Sequence, residues 1–203
     1  MARVFVITGP SGVGKGTLIR GLMERLGGRA HLQLSVSATT RPPRPGERDG
    51  VDYHFLTRAE FERRVAAGEF VEHADYAGRS YGTLRSELDE RVRAGAPVVL
   101  EIEVQGARQV RASVPDAVQV FIAPPSLEDL RTRLIGRGTD DPEEVERRLR
   151  VAAEELAAQP EFAHVVVNDR LQDALEQLTA IVADELEVLG TTLEDQPGKA
   201  TQP

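Results

Sequence analysis

The chain has 203 residues, with 33 acidic side chains against 25 lysines and arginines, a net charge of −8, 40% hydrophobic residues and no cysteine. That length suits one domain with a real core and small inserts. The acidic balance argues against general nucleic-acid or anionic-membrane binding, which needs a wide basic field, and the lack of cysteine excludes disulfides and thiolate metal sites. Any anion site must therefore be a local cluster of cations. The N-terminal apolar run is too short for a signal peptide or a membrane span, so the expected location is cytoplasmic.

Val4-Phe5-Val6-Ile7 is the first predicted strand, because four apolar residues run directly into a glycine loop. The loop reads Gly9-Pro10-Ser11-Gly12-Val13-Gly14-Lys15-Gly16-Thr17. Backbone N–H groups left unpaired at the start of a helix converge there on phosphate oxygens, and Gly9, Gly12 and Gly14 let the backbone come close. Lys15 is one of two lysines in the chain, the other being Lys199 near the C-terminus; every other member of the Lys+Arg set is arginine. An ammonium is a compact charge with three rotatable donors that fits between β- and γ-phosphates, where the planar fork of arginine is bulky. Glycine-rich turns also occur for tight packing alone, but a lysine at this place favours phosphate binding. Gly16 departs from the usual pattern, since a Ser or Thr hydroxyl normally holds magnesium there; Thr17 follows it.

Leu18, Ile19, Leu22, Met23 and Leu26 recur at helical spacing, and Gly27-Gly28 is expected to stop that helix. Residues 37–91 break the pattern. They hold all three tyrosines (Tyr53, Tyr76, Tyr81), a proline- and arginine-rich loop and half-polar strands such as 69–76. The segment reads as a small insert of antiparallel character with one wet face, and Thr57-Arg58-Ala59-Glu60 caps a short helix within it. Further strands are predicted over 98–102, over 118–122 before Pro124-Pro125, and over 165–167 before Asn168-Asp169. Helices are predicted over 106–113, 126–136, 142–158 and 171–189. Ser126-Leu127-Glu128-Asp129 resembles a capping box, while Asp141-Pro142-Glu143-Glu144 offers an N-cap, a first-position proline and early acids. Strands alternating with helices imply an α/β fold with a parallel sheet covered on both faces. The four histidines show no i, i+4 pairing, so they suggest no metal centre. From Thr191 onward periodicity is lost and the tail is expected to be disordered.

Within Ser35 to Glu47, Arg41 and Arg44 stand three apart in a loop stiffened by prolines, a spacing able to clamp a second phosphate. Alone, such a loop is as readily a solvated connector. Its company is Tyr53, Glu72 and the run Arg79-Ser80-Tyr81-Gly82-Thr83. At this point the chain resembles the guanylate kinases across residues 3–190. The resemblance is carried by 9–17, 35–46, 52–53, 68–72, 81–83, 100–106, 122–129, 136–139 and 168–169.

The resemblance implies a P-loop nucleoside monophosphate kinase fold. Its core would comprise 1–36, 92–127 and 156–190, with a GMP-binding insert over 37–91, a helical lid over 128–155 and a tail over 191–203. It implies transfer of the γ-phosphate of ATP to GMP, and to dGMP. Gly9, Pro10, Ser11, Gly12, Val13, Gly14, Lys15, Gly16 and Thr17 would hold ATP with Arg133, Arg137 and Asn168, the last meeting adenine mainly through backbone. Arg41, Arg44, Tyr53 and Tyr81 would hold the GMP phosphate, and Ser37, Glu72 and Thr83 the guanine, with Gly82 beside them. Glu101 would meet the nucleoside near the ribose; family members often carry Asp where Glu101 and Glu103 stand. Arg148 would reach GMP from the lid, and Lys15, Arg41, Arg133, Arg137 and Arg148 would be the catalytic cations. Magnesium would be held by ATP phosphates and water, with Thr17 touching phosphate and no metal-ligating residue of the chain.

Physical chemistry supports two of these implications. Guanine presents N1–H and the 2-amino group as adjacent donors, which one carboxylate accepts together, whereas adenine offers no such pair; hydroxyls at Ser37 and Thr83 can donate to O6. ATP and GMP together bring roughly six negative charges, so cations such as Lys15, Arg41, Arg44, Arg133, Arg137 and Arg148 must offset their repulsion. The attacking phosphate oxygen is already anionic, so alignment and neutralisation matter more than a general base. Excluding water then predicts that insert and lid swing toward the core. Two other readings stay open: a scaffold domain of similar fold that binds phosphopeptides, and a kinase for another mononucleotide, since Gly-Lys-Gly-Thr loops occur in adenylate kinases too. Oligomeric state is not legible.

Overall fold

The computed structural model describes residues 3–76, 78–136 and 142–188. Five strands form the main sheet, all parallel, in the order β2-β7-β1-β8-β9: β1 (Val4–Thr8), β2 (Gln33–Leu34), β7 (Val98–Glu101), β8 (Val118–Ala123) and β9 (His164–Val167). The central strands β1 and β8 are buried along their whole length. Their continuous apolar runs fit a sheet that helices cover on both sides. Alternation then sorts the side chains. Phe5, Ile7, Val99, Val120 and Ile122 join one cluster with α1 (Lys15–Ala30) and α7 (Leu171–Val188), while Val4, Val6, Leu100 and Phe121 join another with α4 (Val104–Ser113) and Phe162. In register, Ile7 lies between Glu101 and Val120, so the loop after β1 opens beside the carboxyl end of β7.

Strands β3 (Ala38–Thr39), β4 (His54–Phe55), β5 (Phe70–Tyr76) and β6 (Arg79–Leu84) form a second sheet in the order β4-β3-β6-β5. It is mixed rather than antiparallel throughout, because β3 pairs β4 in parallel. Helix α2 (Arg58–Ala66) begins as expected, with the Glu60 N–H donating to the Thr57 hydroxyl at 3.2 Å. Ala38, Phe61, Phe70 and Leu84 make a small separate core. The ladder shifts between Phe70 and Glu72, where Phe70 faces Leu84 and Glu72 faces Thr83. One extra residue therefore sits in β5, and this bulge sends Phe70 and Glu72 to opposite faces although they are two apart.

Helix α3 (Arg85–Arg93) and the short strand β2 lie in stretches not assigned an element from sequence. The first helix also runs past Gly27-Gly28 to Ala30, and His31 ends it in the left-handed region at φ 52°. Burial of Leu26, Ala30 and Leu32 in the main core accounts for this, offsetting the ~1 kcal/mol that each helical glycine costs relative to alanine. Helices α5 (Leu127–Gly136) and α6 (Pro142–Ala157) pack together through Leu130, Leu134, Val145, Leu149 and Ala152. The Asp129 N–H donates to Ser126 Oγ at 3.0 Å, which supplies the cap read from sequence. The proposed N-cap Asp141 lies outside the described residues, as does the tail from Thr191.

Candidate active site

The loop between β1 and α1 is shaped by backbone that only glycine tolerates. Gly9, Gly12 and Gly14 have φ of 137°, 91° and 99°. A Cβ on Gly9 would stand 2.2 Å from the Ile122 carbonyl, so this turn packs directly on β8. The Asn168 amide buttresses the loop from the end of β9, donating to the Val13 carbonyl at 2.8 Å. Lys15 is buried and folded back over the loop, its Nζ 2.5 Å from the Gly9 carbonyl and 3.3 Å from the Pro10 carbonyl, with Glu103 at 3.7 Å. Its charge is thus kept dry and satisfied by groups that a phosphate would displace. Thr17 is exposed and its hydroxyl accepts from Arg20.

A cavity of about 240 Å³ runs from Lys15 to the second sheet, lined by Ser37, Tyr53, Glu72, Tyr81, Gly82 and Glu101 among others. Glu72 is 4% exposed and its Oε1 accepts the Thr83 hydroxyl at 2.8 Å. Burial pushes the Glu72 carboxyl up to about 7; the Thr83 hydrogen bonds pull the other way and the charge of Glu103 adds to the rise. The Thr83 hydroxyl, expected at the guanine, thus stands beside Glu72 and donates to it. Glu101 stays in contact with solvent but is walled by protein, and that enclosure raises its carboxyl against the pull of Lys15. Tyr53 is raised by burial first and by Glu101 second.

Arg41 lies over the Tyr53 ring at 5.2 Å, and the rings of Tyr53 and Tyr81 meet edge-on at 6.4 Å. The structure therefore brings together three of the four residues expected around one phosphate. The fourth, Arg44, is exposed and joins the group through its backbone N–H, which donates to Glu47 at 2.7 Å. Glu47 also takes both arms of Arg41, at 2.8 and 2.9 Å, and these bonds hold its carboxyl below the usual range. On the other side, Arg133 of α5 donates to the Asn168 carbonyl at 2.7 Å and Arg148 of α6 donates to Ser11 Oγ at 2.8 Å. Both arginines thus stand at the glycine loop. Arg137 lies outside the described residues.

A buried acid, a tyrosine–arginine cluster and a lysine-bearing glycine loop thus share one cleft. A family model described as guanylate kinase matches residues 1–185. The chain belongs to the guanylate kinase family. Guanylate kinase from Frankia casuarinae is 55% identical over 177 residues, covering 87% of this chain and 95% of that one. The Thermobifida fusca guanylate kinase is 52% identical over 181 residues, covering 89% and 91%. A crystal structure of guanylate kinase from Anaplasma phagocytophilum superposes with a TM-score of 0.70 at 32% identity, covering 91% of this chain and 86% of that one. The fold is that of the P-loop nucleoside monophosphate kinases.

Three residues of this guanylate kinase site carry no role in the sequence reading. Glu47 had a usable signal, standing six after Arg41 in a short loop. Gly106 had none: it is a helical glycine whose Cβ would lie 2.4 Å from Glu72 Oε2, so the α4 backbone closes the back of the pocket. Glu155, on α6, contacts Glu103 behind Lys15 and is likewise invisible to local pattern.

Proposed function

We propose that the protein transfers the γ-phosphate of ATP to GMP, and to dGMP, giving ADP and GDP or dGDP. The carrying observation is Glu72: a buried carboxylate in a cavity that also reaches the lysine of a phosphate loop. Its two oxygens suit the N1–H and 2-amino donors of guanine, whereas adenine would set an acceptor nitrogen against it. Ser37 lines the same cavity and offers a hydroxyl to O6. Arg41, Tyr53 and Tyr81 take the GMP phosphate, with Arg44 joining from the loop; Glu47 then releases Arg41 in exchange for a more highly charged partner. Glu101 stands at the nucleoside side of the cavity.

The loop from Gly9 to Thr17 wraps the ATP phosphates, and Lys15 turns from the carbonyls of Gly9 and Pro10 to the β- and γ-oxygens. Arg133, Arg137 and Arg148 neutralise charge spread over the transferring group, and Asn168 steadies the loop while its backbone faces adenine. A GMP phosphate oxygen attacks in line, already anionic, so the residues align, neutralise and exclude water. The second sheet serves as the GMP-binding insert and α5–α6 as the lid.

Magnesium would supply positive charge to the ATP phosphates. Gly16 carries no hydroxyl, the Thr17 hydroxyl faces Arg20, and no group of three or more His, Asp or Glu among the described residues is placed to hold an ion. We propose that such an ion would be held by ATP phosphates and water. No helix among the described residues is long and apolar enough to cross a membrane; the location we propose, from the sequence reading, is cytoplasmic. A coupled ADP-release assay with GMP, dGMP, AMP, UMP and TMP as acceptors tests the reading. Turnover with the two guanine nucleotides alone is expected; equal or faster turnover with AMP or a pyrimidine would overturn it.

A further inference from the structure

Helix α6 turns one face toward the phosphate loop, presenting Arg148, Ala152 and Glu155 at i, i+4 and i+7. Arg148 grips Ser11 through its hydroxyl at 2.8 Å. Two turns further on, the Glu155 carboxyl faces the Ser11 backbone N–H and makes hydrogen-bonding contact with the Glu103 carboxyl. Glu103 precedes α4 and stands 3.7 Å from Lys15 Nζ. A chain of contacts therefore runs from the lysine of the loop through two acids to the face of α6.

The chemistry of that chain is incomplete as two carboxylates. Glu103 Oε2 and Glu155 Oε2 are both buried, and neither receives a hydrogen bond. An ionised carboxyl is acceptor-only, so two in contact repel and leave both oxygens without a donor. A single proton between them cures both faults, supplying one donor and removing one charge. Lys15 then faces one charge from this pair, with Glu101 of β7 also drawing on it and Glu72 of β5 adding a further acid beside Glu103. We propose that Glu103 and Glu155 share this proton and that it seats α6 against the phosphate loop, making Glu155 a positioning residue for phosphoryl transfer. The kinetic part of this role rests on the activity proposed above.

The surrounding charges set the sign. Burial raises the Glu155 carboxyl most, to about 8, the negative charge of Glu103 adds to the rise, and Lys15 opposes it. On α5, Arg131 is turned to Glu146 and Arg133 to the Asn168 carbonyl; on α6 itself, Arg148 is directed to Ser11. The seat therefore holds below about pH 8, and is lost above it as the second charge appears between the two acids. When ATP phosphates draw Lys15 away from Glu103, the pair loses its counter-charge and binds its proton more tightly. Nucleotide in the loop thus strengthens the seat of the helix that carries Arg148.

The test uses the full chain with ¹³C-labelled glutamate carboxyls, followed by NMR from pH 5 to 9.5 without nucleotide. One resonance is expected to titrate near pH 8, to vanish in Glu155→Gln, and to titrate at lower pH in Glu103→Gln. If no resonance missing from Glu155→Gln titrates above pH 6.5, the shared proton is refuted, whatever reaction the enzyme catalyses. Kinetics supply the positioning readout. The KM for ATP of the wild type should rise about five-fold between pH 7 and 9, stay flat in Glu155→Gln, whose amide is a permanent donor, and stand about ten-fold high at every pH in Glu155→Ala. Identical pH profiles for wild type and Glu155→Gln would overturn the proposal. Should Glu155→Gln not fold, the shift of the wild-type resonance on replacing Glu103 decides alone.

Discussion

On the function proposed above, the phosphate loop and the guanine pocket lie at two ends of one cavity but are built from opposite materials. The loop is backbone: glycines at positive φ, N–H groups at the start of α1, and one lysine held on carbonyl oxygens. The pocket is side chain: a buried acid, a hydroxyl committed to it, and two tyrosines beside an arginine. Backbone amides bind phosphate without regard to the base attached, so the loop supplies affinity and charge neutralisation. A buried carboxylate tolerates only a partner that offers donors, so the pocket supplies selectivity and carries the desolvation penalty. The difference predicts separable damage: changes in the loop should abolish turnover without altering base choice, and changes in the pocket should do the reverse.

The severest test is Lys15→Ala. Removing the only lysine in the described residues should lower kcat on the order of 10³-fold. GMP binding by calorimetry should change little, and a parallel loss of GMP affinity would show that the two ends are not separable. Next comes Glu72→Gln, which replaces one acceptor by a donor facing guanine donors. The ratio of kcat/KM for GMP over AMP should fall roughly 100-fold, with the KM for ATP within about two-fold of wild type. An unchanged ratio would place base reading elsewhere.

The same contrast explains what the sequence disclosed. A loop made of backbone leaves a local signature, and residues 9–17 could be read directly because glycine spacing and one lysine encode the shape. The parallel strands were legible too, since β1 and β8 are apolar without a break. The start of α1 depends on glycine but its end does not: Gly27-Gly28 misled, because burial of Ala30 and Leu32 is a tertiary fact and His31 ends the helix. In the pocket, the residue types were visible while their arrangement was not. The bulge at β5 decides which way Glu72 points, and no alternation of side chains reveals an extra residue in a ladder. The commitment of Thr83 to Glu72, the grip of Glu47 on Arg41 and the contact of Glu155 with Glu103 all join segments distant in the chain or hidden in loops.

Gly106 sharpens the comparison from the core side. It belongs to α4, which packs on the main sheet, yet its missing side chain makes room for Glu72. In Gly106→Ala the new methyl group would stand 2.4 Å from Glu72 Oε2 unless the carboxylate moves. Alanine suits a helix better than glycine by ~1 kcal/mol, so global stability should hold or rise by thermal unfolding. The KM for GMP should nevertheless rise about ten-fold while the KM for ATP stays put. A ten-fold loss shared by both substrates would mean that α4 supports the loop as much as the pocket.

The gentlest test is pH. Burial lifts the Glu72 carboxyl to about 7, opposed by Thr83 and assisted by Glu103. The ionised form is the one that accepts both guanine donors, so GMP capture should be half-maximal near pH 7, nearly complete about one pH unit higher, and decline as pH falls below it. At pH 6.5 about one free enzyme in four would carry the ionised acid, so kcat/KM for GMP should drop roughly four-fold. The guanine donors favour the carboxylate once bound, which leaves kcat at saturating GMP flatter than kcat/KM over the same range. The GMP phosphate titrates near pH 6 as well, and Glu72→Gln separates the two: it keeps the phosphate contribution and lacks the carboxyl. A steeper acid limb in the wild type than in Glu72→Gln would assign the difference to Glu72. Parallel limbs would mean that this acid stays ionised despite its burial, and the penalty of selectivity would then be carried by some other group in the pocket.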